Sequence, residues 1–136
     1  MDYILDNLAI GNYEDALNRP EEISGLLCVA EEKDVPDPPP AYHKVFMPDM
    51  KPMRPELLKE AVDWVESNIG EHRIMVFCNA GVGRSPSVVV GYLCCVLGYG
   101  FGEAVEYVAR KRPQMSVLPQ LIEAVEKVKR MRRDEA

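Results

Sequence analysis

Apolar residues along the chain fall into two rhythms: short unbroken runs, and longer stretches that repeat every three to four positions. "ILDNLAIG" predicts one or two short strands, followed by a helical turn from Asn12 to Leu17. "GLLCVAE" and "IMVFC" are continuous apolar runs too short for helices, the pattern of strands covered on both faces, and "HKVFMPD" reads as a further strand. "RPELLKEAVDWVESNIG" has a helical period, with Leu57, Leu58, Ala61, Val62, Val65 and Ile69 on one face, a proline near its start and Gly70 as its stop. After the last strand Ser85 reads as an N-cap and Pro86 as the first helical residue of "SVVVGYLCCVL", a buried helix that ends at Gly98. Two more helices follow: "GEAVEYVARKR", stopped by Pro113, and "LPQLIEAVEKVKRMRR", whose apolar face is Leu118, Leu121, Ile122, Val125 and Val128.

Strand, helix and strand in this order make a right-handed parallel crossover, so the carboxyl ends of both strands emerge on one edge of the sheet. Asp49 and Cys78 fall at those ends. Ligands of open α/β sheets bind beyond that edge. The expected fold is therefore α/β: one domain over residues 1–136, with a small, mostly parallel central sheet flanked by helices. The proline-rich "DVPDPPP" reads as an extended surface loop inside that domain, with Asp34 and Asp37 flanking it.

Composition narrows what such a domain does. A net charge of −6 over 136 residues argues against a general nucleic-acid binder, which needs a broad basic face. The basic tail, Lys127, Lys129, Arg130, Arg132 and Arg133, reads as a solvated helix end. No run is long enough to span a membrane, and the acidic start "MDYILDNLAIGNYEDAL" does not resemble a signal peptide, so a cytoplasmic protein with no membrane partner is expected. Four cysteines show neither zinc-site nor disulfide spacing, and Cys28, Cys94 and Cys95 sit in apolar runs as core residues. The two histidines, His43 and His72, read as structural or surface residues, too few for a metal-dependent hydrolase. No metal or other cofactor is expected, and a monomer is.

Cys78 lies in "VFCNAGVGRSPS", where a strand delivers it into a glycine-containing loop that starts a helix. Such a loop is an anion cradle, because its backbone N–H groups converge and the helix N-terminus adds positive potential. Gly81 and Gly83 permit the positive φ angles of a tight bend. In that field, beside Arg84, the Cys78 thiol is expected to ionise and become a nucleophile. Arg84 offers a planar fork matching two phosphate oxygens, and the amides of Asn79, Ala80, Gly81, Val82, Gly83 and Arg84 would hold the same oxygens. An alkoxide or phenoxide leaves poorly, so an acid is needed; Asp49, in "MPDMKPM", is the first candidate, ahead of Asp34 and Asp37. Ser85 is placed to hydrogen-bond the Cys78 sulfur and help it leave. Tyr42, Glu31 and Glu32 are candidates for the cleft rim, and Trp64 for packing a helix face.

"CNAGVGRS" resembles the signature of the protein tyrosine phosphatase superfamily: cysteine, five residues, arginine, then serine or threonine. The order of parts from "LAIGNYEDAL" onward resembles a dual-specificity phosphatase in particular. The resemblance implies Cys78 as nucleophile, Arg84 as phosphate ligand, Asp49 as general acid and base, and Ser85 as helper of the leaving thiolate. It implies hydrolysis of phosphotyrosine, with phosphoserine and phosphothreonine as further substrates, in a phosphorylated protein or peptide, and a loop that takes up phosphate or sulfate. The loop carries none of the lysines typical of phosphoinositide-directed relatives. Two positions depart from the family pattern. Phe77 stands where histidine usually precedes the cysteine, and Val117 and Leu118 stand where a Ser-Pro-Asn stretch usually supports the loop. The second reading is therefore a phosphate-recognising binding module that keeps the cradle and turns over weakly.

Overall fold

The computed structural model describes all 136 residues. Strands β1 (Asp2–Leu5) and β2 (Leu8–Gly11) form a hairpin; α1 (Tyr13–Leu17) follows, opened by an Asn12 capping box. Then come β3 (Gly25–Cys28), β4 (Ala41–Lys44), α2 (Pro55–Asn68), β5 (Ile74–Phe77), α3 (Arg84–Cys95), α4 (Phe101–Lys111) and α5 (Leu121–Glu135). The sheet order is β1-β2-β5-β3-β4. Strands β2, β5, β3 and β4 run parallel, and only β1 is antiparallel. This is the mostly parallel sheet flanked by helices that the apolar runs predict.

Parallel register brings the ends of four strands to one edge: Gly11, Cys28, Lys44 and Phe77. Because β1 runs the other way, its first residue Asp2, paired with Ile10, lies at that edge too. Every residue of β2, β3 and β5 is buried, which explains their unbroken apolar runs. One cluster of 37 buried apolar residues joins sheet and helices.

Four local expectations are corrected. Strand β4 ends at Lys44, short of the predicted "HKVFMPD" run, because the Met47 N–H turns back to the Val45 carbonyl (2.8 Å) and lifts the chain off the sheet. Asp49 thus sits in a loop past the strand, on the expected edge. Helix α3 begins at Arg84 with Gly83 as its N-cap, so Ser85 and Pro86 lie inside the first turn, and it stops at Cys95, before Gly98. Gly83 has φ −115°, so of the two loop glycines only Gly81, at +70°, uses the left-handed region. Helix α5 begins at Leu121 after Gln120, itself at φ +61°, so Leu118 belongs to the preceding loop. Its buried stripe is Leu121, Ala124, Val125 and Val128, while Ile122 faces outward. The basic tail is partly engaged, with Arg132 paired to Asp63 and Glu66 on α2.

Candidate active site

The loop from Cys78 to Gly83 leaves β5 and enters α3 with its carbonyls turned outward and tethered. Asn79 accepts from the Tyr13 N–H (3.1 Å), Gly81 from Arg112 Nε (2.7 Å), Val82 from the Ser116 N–H (2.7 Å) and Gly83 from Ser87 Oγ (2.7 Å). In a trans peptide the carbonyl and the next N–H point in opposite directions. The tethers therefore turn the N–H groups of Ala80, Val82, Gly83 and Arg84 inward. None of the N–H groups from Asn79 to Ser85 donates to a protein acceptor. A ring of free donors at the start of a helix is a site for an anion.

Gly81 makes this path possible. At φ +70°, a Cβ there would also lie 2.7 Å from the Gly11 carbonyl oxygen and 2.5 Å from the Arg112 guanidinium. Arg112, 4% exposed, ties the loop to the sheet edge by pairing with Asp2 at 2.7 Å.

Cys78 is 2% exposed and its Sγ lies 3.2 Å from Ser85 Oγ. That contact explains why Ser85 does not cap the helix: its hydroxyl faces the sulfur. Arg84 is 1% exposed, and its surroundings define its free side. A guanidinium carries five N–H bonds. Nη1 donates to Glu32 Oε1 (2.7 Å) and to the Met47 carbonyl (3.0 Å), and Nη2 donates to Glu32 Oε2 (2.6 Å). Nε has no partner. The Nε–H and the second Nη2–H thus form an open fork on one side of a buried cation, the geometry that receives two oxygens of a phosphate. Hydrogen bonding from Arg84 holds the Glu32 carboxyl down to about 2 from its ordinary 4.5, against a smaller upward push from burial.

Asp49 Oδ1 stands 3.6 Å from Arg84 Nε and accepts the Met50 N–H at 2.9 Å. Asp49, Cys78, Ala80, Val82, Gly83 and Arg84 share one cleft of about 370 Å³. Asn79 and Gly81 belong to the loop without lining that cleft. Asp34 pairs with Lys44 (2.9 Å), and neither it nor Asp37, Glu31 or Tyr42 lines the cleft. His43 contacts Glu60 and stacks on Trp64, and His72 contacts Ser24. No group of three or more His, Cys, Asp or Glu side chains is arranged to share a metal ion.

Three supports of the loop are not apparent in the sequence. Arg112 reads there only as the last residue of the helix "GEAVEYVARKR", Ser87 as one more residue of a buried helix, and Glu32 only as a rim candidate. Ser87 joins two segments, since its Oγ donates to Gly83 and accepts the Leu118 N–H at 2.9 Å. The position held by Phe77 is filled apolarly: the ring is fully buried, with its centroid 6.4 Å from that of Tyr13.

A parallel sheet whose carboxyl edge presents a cysteine-floored ring of amides, an arginine fork and a nearby carboxylate makes this an α/β domain with its candidate site at that edge. Comparison narrows the class. The family described as dual specificity phosphatase, catalytic domain, matches residues 45–131, and the chain belongs to it. Dual specificity protein phosphatase 16 of Homo sapiens is 28% identical over 93% of this chain, and laforin of Mus musculus 35% identical over 52%. The chain spans only 21% and 22% of their respective lengths. Among solved structures, human DUSP28 superposes with a TM-score of 0.80 at 19% identity, covering 100% of both chains. A leucine rich repeat and phosphatase domain containing protein from Entamoeba histolytica gives 0.76 at 14% identity, covering 98% of this chain and 93% of its own. These likenesses are of fold.

Proposed function

We propose that the chain is a cysteine-dependent phosphatase acting on phosphotyrosine, with phosphoserine and phosphothreonine as further substrates, in proteins or peptides. The observation that carries this is the free side of Arg84: a buried cation whose Nε makes no hydrogen bond and has the Asp49 carboxylate 3.6 Å away, set beside inward amides and a sulfur. A neutral ligand would leave that donor set uncompensated, whereas a phosphate satisfies it.

In the proposed reaction the phosphoryl dianion sits on the amides and the Arg84 fork, with phosphorus above Cys78 Sγ. The sulfur attacks in line, the P–O bond to the leaving group breaks, and Asp49 gives that oxygen its proton. Water then attacks phosphorus, Asp49 takes its proton, and the S–P bond breaks with the electron pair returning to sulfur. Ser85 Oγ, 3.2 Å away, hydrogen-bonds the departing thiolate. No step needs an ion or cofactor. Location at the cytoplasm and a monomeric state belong to the same proposal; no helix is long and apolar enough to cross a membrane.

Hydrolysis of p-nitrophenyl phosphate in EDTA tests it. Wild-type protein should turn over and Cys78→Ser should not; absence of wild-type turnover between pH 5 and 8 would overturn the reading. The second reading, a binding module, draws support from Phe77, which offers the loop no hydrogen bond. It requires phosphopeptide binding without that turnover.

A further inference from the structure

Met50 is an anomaly that phosphate chemistry does not explain. It is a large apolar side chain left 84% exposed, and its backbone sits at φ +57°, where only glycine and asparagine are at ease. Strain of this kind persists when surrounding structure imposes it, and it concentrates at functional sites. Here the Asp49 carboxylate accepts the Met50 N–H, so the bend that sets Asp49 near Arg84 also throws the thioether outward onto the lip of the cleft.

The rest of the wall has the same character. Val117, Leu118 and Pro119 line the cleft, and their loop is fastened to the segment after Met50 by the Met53 N–H on the Pro119 carbonyl (2.9 Å). Asp49, Cys78 and Arg84 are the only ionisable side chains among the lining residues. The floor recognises a dianion, and the walls above it offer carbon and sulfur. A phosphate ester entering this cleft must put apolar surface against Met50 and Val117. A phenyl ring does so, and also spaces the peptide backbone away from a raised lip; the short alkyl link of phosphoserine or phosphothreonine would press that backbone against the thioether.

Resting on the phosphatase reading, we infer that Met50, with Val117, is a specificity-determining wall that selects aryl over alkyl phosphate esters. Thioether contact with an aromatic ring favours the aryl group by up to about tenfold. The test separates this from catalysis by measuring binding to Cys78→Ser protein, which keeps the cradle and cannot turn over. Fluorescence anisotropy with two labelled peptides of one sequence, bearing phosphotyrosine or phosphothreonine, should give tighter binding of the first by up to about tenfold. Adding Met50→Ala should shrink that ratio to about twofold or less, and Val117→Ala should shrink it partway. A Cys78→Ser protein that binds both peptides equally, or a ratio that Met50→Ala leaves unchanged, overturns the wall. The phosphatase reading fails separately, on absent wild-type turnover.

Discussion

Glu32 touches no substrate in the proposed reaction, yet the geometry makes it the residue that aims Arg84. Truncating it to alanine removes both end-on bonds from Nη1 and Nη2 and leaves the guanidinium held only by the Met47 carbonyl and by the Asp49 carboxylate 3.6 Å from Nε. The side chain then recovers part of the roughly 2 kcal/mol of rotamer entropy an arginine carries. If all of it must be lost again on binding phosphate, kcat/KM for p-nitrophenyl phosphate falls by up to about 30-fold. Arg84→Ala removes the fork itself: two charge-assisted bonds at about 1.5–3 kcal/mol each, or a loss of about 10²- to 10⁴-fold. The double variant decides the matter. With no arginine to aim, Glu32→Ala should cost nothing further, so the two effects should be strongly non-additive. Glu32→Gln, which keeps one acceptor, should fall between wild type and alanine. Thermal melts establish that each variant is folded. Glu32 does not aim Arg84 if Glu32→Ala alone changes kcat/KM less than twofold, or if the two losses simply multiply.

The two loop glycines should behave differently. Gly81→Ala meets the Gly11 carbonyl and a left-handed φ, and should cost at least about 1–2 kcal/mol, a Tm lowered by roughly 2–8 °C, whereas Gly83→Ala, with the nearest atom 3.5 Å from the new Cβ, should melt within about 2 °C of wild type. Stability should also report on Glu32. Its carboxyl is held at about 2 in the folded chain against 4.5 ordinarily, so its contribution is complete above the higher value and fades as pH falls toward the lower one. With the side chain 43% exposed solvent weakens the effect, and acid unfolding of Glu32→Gln should show a shallower, not an absent, dependence across that window. Among the thiols, burial pushes Cys28 and Cys94 up and Cys95 up to about 11, so iodoacetamide at pH 7.5 should label Cys78 alone, with inorganic phosphate protecting it; comparable labelling of Cys95 would contradict the packing.

The parallel sheet, the helix order and the loop were legible because each rests on local pattern. An apolar run of four to seven residues between turns leaves few alternatives to a covered strand, and "CNAGVGRS" carries cysteine, arginine and serine at fixed offsets within one turn of chain. Boundaries were less legible. "HKVFMPD" looks like one strand because nothing in it announces the turn at Val45–Met47, and Ser85 looks like an N-cap because the sulfur that draws its hydroxyl away lies seven residues back. The supports were hidden for a different reason: they join distant segments. Arg112 meets Asp2 across 110 positions, a pairing that exists only once β1 turns back along β2. Ser87 left a faint trace, as a hydroxyl inside an otherwise apolar helix must find a partner. Nothing in the sequence says the partners are Gly83 and Leu118.

Those supports bear on the two departures from the family pattern. If loop rigidity depended on a histidine before the cysteine and an asparagine before the last helix, Phe77, Val117 and Leu118 would leave the loop loose. The structure meets the same need through the main chain. Phe77 packs beneath Tyr13, and the Tyr13 N–H holds Asn79 while its hydroxyl donates to the Asp34 carbonyl at 2.6 Å. Val117 and Leu118 bring no polar side chain, but the Ser116 N–H holds Val82, and the Leu118 N–H holds Ser87, which holds Gly83. A backbone donor works whatever side chain it carries, so apolar substitution at these positions is compatible with an ordered cradle. What main-chain tethers do not replace is the polar ring that a histidine would add at position 77. The departure at Phe77 therefore bears on the reactivity of the Cys78 sulfur rather than on the shape of the loop: Phe77→His should quicken iodoacetate alkylation at pH 6 while leaving the affinity of Cys78→Ser protein for phosphopeptide within about twofold. A variant that binds phosphopeptide markedly more tightly would place the defect in loop order instead, and would undo this division of labour.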